Sequence, residues 1–425
     1  MMAIGVARFY FKGWIYDLYV SPQYHFTYYG FDWVKPLSET GMYTVFALMF
    51  CAAIFITLGF LYRISAITFF LLFTYVELID KTTYLNHYYF VSLVAFLLIF
   101  LPANRRFSLD ANLLKRGHIN SVPAWTINIL KFQLFIVYFY AGVAKLNADW
   151  MIHALPLKIW LPASSHLPVI GSLLTYEWAA YIFSWGGAIY DLTIVFFLLN
   201  SRTRGLAFIS VVIFHSLTAV LFPIGMFPYI MTLSVLIFFS SSFHENILRI
   251  AERLLKAKPL FPSEGRFRLG KTFSIILILN AMIQVIFPLR FALYPGNLFW
   301  HEQGYRFSWR VMLMEKMGNT SFKVTDPQSH NTAFVANYEY LTPLQEKQMS
   351  TQPDMILQFA QHLKEDFEAK GIKNPIVTVD CKVTLNGRKS RLFIDKNINL
   401  ADQSEGWNHK SWILPFDTEY LSTLD

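Results

Sequence analysis

The sequence predicts an all-α membrane protein: a polytopic bundle of about nine transmembrane helices, the first one truncated, with a small C-terminal extramembrane α+β domain. Three observations carry this. Charged residues make up only 15% of the 425 residues and aromatics 18%, whereas soluble domains carry about a quarter charged. Residues 43–62 and 272–289 are uncharged runs of bilayer-spanning length. After about Pro295 the composition turns to that of a soluble domain.

The predicted spans are 43–62, 64–79, 88–102, 125–144, 179–200, 205–222, 224–242 and 272–289. Residues 1–20 read as the second half of a helix whose beginning is absent, or as a short interfacial one, and show no cleavable signal. If the loop with Arg63 is cytoplasmic, the loops on its side hold fourteen Lys and Arg, against four (Lys35, Lys81, Lys145, Lys158) opposite. This asymmetry places Lys145 and the C-terminal domain outside, in the periplasm of a bacterial inner-membrane protein or in a lumen. It also explains the net charge of +8 without nucleic acid as a partner.

The expected division is 1–290, membrane helical, and 291–425, extramembrane. In the latter, residues 319–340 alternate like strands, a helix begins near Asp354, and two strands turn at Asn386-Gly387. The two cysteines, Cys51 and Cys381, are expected to stay unpaired.

Candidate chemistry centres on Tyr138–Trp150, YFYAGVAKLNADW. Lys145 there reads either as a snorkelling lysine at a helix end or as a desolvated amine able to take a proton from a weak acid. Lys131, about 21 Å back along the helix axis, falls near the opposite end. The stretch Asp80–Phe90, DKTTYLNHYYF, brings Asn86 and His87 to the side of Lys145 as hydrogen-bonding groups. Alternatively His87 merely starts a helix, and Asp80–Lys81 is a solvated pair. Glu77 can pair with Lys81 one turn on.

His215 and Asp191 lie mid-span, where ionisable groups face the bundle interior; each reads equally as structural. FPIGMFP (222–228) is a tight reversal at the outer face. After the last span, GYRFSWR carries Tyr305, Arg306 and Arg310, arginines suited to a carboxylate. Arg388, Lys389 and Arg391 read as a solvated face. No nucleophile elbow, phosphate loop, dinucleotide fingerprint or Cys/His metal spacing occurs, so no metal is expected.

Together YFYAGVAKLNADW, DKTTYLNHYYF, LFPIGMFPYIM, GYRFSW, LGFLYRISAITF and NGRKSRLFID resemble the vitamin K-dependent gamma-glutamyl carboxylases and their bacterial homologues with the HTTM (horizontally transferred transmembrane) domain. The resemblance implies a membrane enzyme using reduced vitamin K (a menaquinol or phylloquinol), O2 and CO2. In that family a lysine takes a proton from the quinol, which reacts with O2. The strongly basic product removes a γ-proton from a protein glutamate, CO2 adds, and vitamin K leaves as its epoxide.

Carried over, Lys145 matches the lysine base, His87 with Asn86 the assisting motif, and Tyr305 the tyrosine near quinone and glutamate. His215, Trp150 and Arg306 join it as expected quinone- or substrate-binding residues. The expected partners are the lipid bilayer, quinol and a glutamate-containing protein or peptide. Ala144, Asn147, Leu85 and Thr218 depart from the animal pattern (lysine, aspartate, asparagine and asparagine), and animal enzymes continue beyond this chain's end. The alternatives are a quinol epoxidase without glutamate carboxylation, a non-catalytic quinone- or lipid-binding protein, and a transporter using Asp191 and His215.

Overall fold

The computed structural model describes residues 1–113, 118–119, 121–254, 262–263 and 267–416. Six helices among them are long and apolar enough to cross a membrane: Glu39–Leu58, Tyr62–Ile79, Trp125–Ala144, Glu177–Leu199, Arg204–Leu221 and Lys271–Leu293. A seventh crossing arises if Phe227–Phe238 and Ser241–Ile250, bent by 111°, form one broken span. Met2–Phe11 and Asn86–Phe100 are apolar but shorter. The nine expected segments are therefore all helical, but only six reach spanning length on their own.

The shortfall has local causes. Gly13, at φ 73°, ends the first helix before a π-turn at Tyr16–Val20. Asn86–Phe100 has 15 residues, about 22 Å at 1.5 Å each. Its outer end is replaced by a buried turn, Lys81–Thr83, capped by the Asp80 carboxylate. Phe239 is extended, and the chain turns into Ser241–Leu254, whose Glu245, Arg249 and Arg253 keep that helix out of hydrocarbon.

The helix Trp125–Ala144 packs on Glu177–Leu199 at a small residue. A β-carbon on Gly142 would lie 2.7 Å from Leu192 Cγ and 2.9 Å from its backbone nitrogen. Only glycine permits this close approach, as in other membrane helix pairs.

The C-terminal domain contains a four-stranded antiparallel sheet, ordered Thr332–Phe334, Lys316–Thr325, Ile376–Leu385, Arg391–Leu392. In Ile376–Leu385, Val377, Val379, Cys381, Val383 and Leu385 are buried in strict alternation, the period a half-buried strand requires. They meet Met355, Ile356, Phe359 and Leu363 of the helix Pro353–Ala369. The preceding helix Pro343–Met349 starts at a capping box, Thr342 with Gln345. Asn386 and Gly387 take positive φ as the turn signal predicts. However, the return strand pairs only from Arg391 (with Val383), so the hairpin loop is wider than a two-residue turn.

Buried charges join the two halves, and here several expectations are corrected. Asp80 and Lys81 are each 2% exposed, not a solvated pair. Asp80 accepts from Gln345 Nε2 (2.9 Å), and Lys81 lies 2.9 Å from Asp354. Glu77 accepts from Ser92 rather than pairing with Lys81. Arg388 leaves the solvated face to bind Asp149, to which Asn386 Nδ2 also donates (2.7 Å). Cys51 is exposed, Cys381 is buried, and both are free.

Candidate active site

Lys145 caps the C-terminus of Trp125–Ala144, and Asn147 starts the next short helix, Ala148–Met151, by accepting from Trp150 N–H (3.0 Å). This break turns the lysine inward instead of toward the headgroups. It is 6% exposed. Nζ donates to Asp191 Oδ2 at 2.6 Å and to the Ala141 carbonyl at 3.2 Å. The Trp150 ring lies 5.4 Å from the amine, held by its indole N–H on the Ser184 carbonyl (2.7 Å). Gly187 faces both groups: a β-carbon there would meet Lys145 Cε and Trp150 Cζ2 at 3.9 Å, an ordinary contact.

Lys145, Asp191, Trp150, Tyr138 and His215 line one cavity of about 100 Å³, whose other walls are mainly apolar, among them Trp160, Phe183 and Phe214. The 222–228 reversal supplies Phe222, Ile224 and Phe227, and the segment after Arg310 supplies Val311 and Met312. Tyr138 Oη and His215 Nε2 are 3.0 Å apart. His215 Nδ1 is buried and has no hydrogen-bond partner among the described residues. A buried polar atom of this kind costs stability unless something satisfies it. The cavity thus offers an ion pair, a phenol and an open imidazole nitrogen within apolar, aromatic walls. That donor set suits a flat ring bearing hydroxyl groups. Among the described residues no cluster of three metal-ligating side chains occurs.

The other expected site residues lie farther off. His87 is buried and does not line the cavity. Its ring packs 5.9 Å from Phe227, which in turn lies 5.6 Å from His215, so one aromatic ring intervenes. Asn86 spends both ends of its amide on protein, donating to the Arg310 carbonyl (2.9 Å) and accepting from Tyr84 (3.0 Å). It fixes the 304–312 segment. Tyr305 packs edge-on to Phe299 (6.3 Å) and is absent from the lining. Burial, then Glu302, raises its hydroxyl well above the usual phenol range against the opposing Arg310, so it stays protonated.

Arg306 already holds a carboxylate of its own chain, Asp354 (2.6 Å). Arg310, 8% exposed, stacks on Phe291 at 4.3 Å, and burial lowers it to about 10. Lys131 sits 5.7 Å over Phe238, away from the cavity lining. Sequence reasoning missed Asp191 as the partner of Lys145. The only signal was an acid in mid-span, four residues after Gly187.

Residues 1–243 match the HTTM domain family, and residues 270–419 match the lumenal domain of vitamin K-dependent gamma-carboxylases. The chain belongs to the vitamin K-dependent carboxylase family. No solved structure matches it. The HTTM match precedes the lumenal-domain match along the chain, and with six apolar helices of spanning length among the described residues the protein is a multi-pass membrane protein. The family assigns a vitamin K-dependent, carboxylase-like role, with reduced vitamin K, O2 and CO2 as the implied small molecules.

Proposed function

We propose that the chain is a quinol-dependent glutamyl carboxylase whose reaction starts at Lys145. The observation that carries this reading is the 2.6 Å contact between Lys145 and Asp191 beside a cavity that also holds the open His215 Nδ1. Reduced vitamin K, when bound, supplies with O2 the base that removes a glutamate γ-proton, after which CO2 adds.

The residues of the chain have definable tasks. Two opposite charges in a low-dielectric site are expensive to keep apart from water. Passing the Nζ proton to Asp191 Oδ2 gives a neutral amine and a neutral acid, and the amine is then free to accept a proton from a quinol hydroxyl. His215 Nδ1 accepts from or donates to the ring's second oxygen according to tautomer, with Tyr138 fixing the imidazole from Nε2. Trp150, Trp160 and Phe214 line the cavity and would flank a bound ring and exclude water, which strengthens each polar contact. His87, through Phe227, and Asn86, through the 304–312 segment, act as positioning residues. Tyr305 keeps its proton on the outer side, where a peptide glutamate arrives.

The Lys and Arg asymmetry of the loops supports placing residues 291–425 on the non-cytoplasmic side, the periplasm or a lumen. The test is direct. The protein in membranes is given vitamin K hydroquinone, O2, labelled CO2 and a short glutamate-rich peptide. Wild type should form epoxide and labelled peptide together, and Lys145→Ala neither. Epoxide without labelled peptide would remove the glutamate step; no epoxide from wild type would remove the whole reading.

A further inference from the structure

A second cavity, of about 280 Å³, opens between the outer domain and the outer end of the last span. It shares no lining residue with the Lys145 cavity. The segment after Gln303 divides them, lending Gly304, Arg306 and Phe307 to one and Val311 and Met312 to the other.

Its charges do not balance. Lys81 and Arg306 both engage Asp354, Lys81 also lies 3.6 Å from Glu405, and Glu302 is held by Lys316 at 2.8 Å. Arg290 and Lys410 line the same cavity, and neither has a carboxylate within 4.0 Å among the described residues. Arg290 donates only to the carbonyls of Phe287 (3.0 Å) and Arg306 and stacks on Phe287 at 4.0 Å. Lys410, 9% exposed, reaches only the Gly406 carbonyl at 3.5 Å.

His301 adds a neutral donor. Burial lowers its pKa to about 4, Nδ1 accepts from Gln303 N–H (3.0 Å), and the other, buried ring nitrogen has only the Gly296 backbone beside it among the described residues. Two cations with no carboxylate in ion-pair contact among the described residues call for an anion rich in acceptor oxygens.

The surroundings identify its source. The span Lys271–Leu293 is only 17% buried, so it stands on the perimeter. Ile286 and Leu293, flanking Arg290, are 65% and 78% exposed. Tyr29, Phe31 and Trp407 at the cavity are also exposed, as aromatic residues at the headgroup level are. Acyl chains laid along this helix would bring a phosphate to Arg290, whereas a soluble acidic peptide would leave the apolar wall uncovered.

We infer that this cavity binds the phosphate head of an anionic lipid from the leaflet on the outer-domain side. The inference is independent of the quinol chemistry.

The test uses the full chain in nanodiscs of phosphatidylcholine with graded phosphatidylglycerol, the retained lipid being counted by native mass spectrometry. Wild type should keep phosphatidylglycerol in preference to phosphatidylcholine. Arg290→Gln and Lys410→Gln should each weaken that retention roughly tenfold, while Arg249→Gln, on the other side of the membrane, should leave it unchanged. Equal retention by wild type and both variants overturns the proposal. So does a glutamate-rich peptide that binds without lipid and is lost in the same variants, or inorganic phosphate binding as well as the lipid. Should the variants fail to fold, wild-type thermal stability decides. Phosphatidylglycerol must raise the midpoint, and phosphatidylcholine of the same chains must not.

Discussion

Two lysine–aspartate contacts in this protein use the same chemistry in different surroundings. Lys145–Asp191 is a single pair on the wall of an apolar cavity, with one further carbonyl on the amine. Lys81–Asp354 belongs to a network in which Arg306 shares the carboxylate and Glu405 stands nearby. In the first, each charge is matched by one opposite charge among the described residues, so an added proton acceptor would disturb the arrangement directly. In the second, two cations pin one carboxylate, so the charges stay fixed and hold the halves together. Partner count and access to the cavity, not residue type, separate the pair proposed to move a proton from the one that fastens the two parts of the chain.

The largest expected effect breaks the first contact from the amine side. Lys145→Ala should lower epoxide formation by roughly three orders of magnitude, within the range for losing a general base, while the protein still inserts and retains its helical signal. Asp191→Asn removes the proton's destination and should cost about a hundredfold in the same assay. It should also lower the thermal midpoint, because breaking a buried pair costs about 3–5 kcal/mol.

His215→Phe sharpens the comparison by deleting the open nitrogen without touching the pair. KM for quinol should rise roughly tenfold, as for one lost hydrogen bond, with kcat changed less. If kcat fell and KM stayed constant, His215 would not hold the ring.

The smallest effect concerns the fastening network. Burial alone would raise Asp354, but Arg306 and Lys81 hold its carboxyl well below the usual range. A depressed folded-state value stabilises above the unfolded pKa of about 3.9 and loses that contribution as pH falls through the folded value. Asp354→Asn should therefore lower the thermal midpoint by a constant amount from pH 5 to 8. The gap from wild type should narrow only in more acidic solution. A gap that already closes at pH 6 would refute the assignment.

Much of this was legible in the sequence, for identifiable reasons. The helical segments followed from apolar runs, and the outer sheet from alternation and the Asn386-Gly387 signal. Lys145 stood out because an ammonium inside a span's end needs a use or a partner, and His215 because a mid-span imidazole faces inward. Pairings across distance were not legible. Asp191 is 46 residues from Lys145, and no local spacing announces that Gly142 lets their helices close. Asn86 looked chemical because it adjoins His87, yet its amide bonds to a carbonyl 224 residues away. Asp80 and Lys81 looked solvated because the domain that buries them comes later in the chain.

The joint at Asp149 has a consequence for the molecule as a whole. This carboxylate takes both Asn386 and Arg388 from the C-terminal hairpin, and the next residue is the tryptophan lying against the Lys145 amine. Strain applied to the hairpin would therefore be felt one peptide bond from the wall of the Lys145 cavity. A chain severed at residue 290 would lose not just its outer module but the anchor that keeps the innermost wall in place.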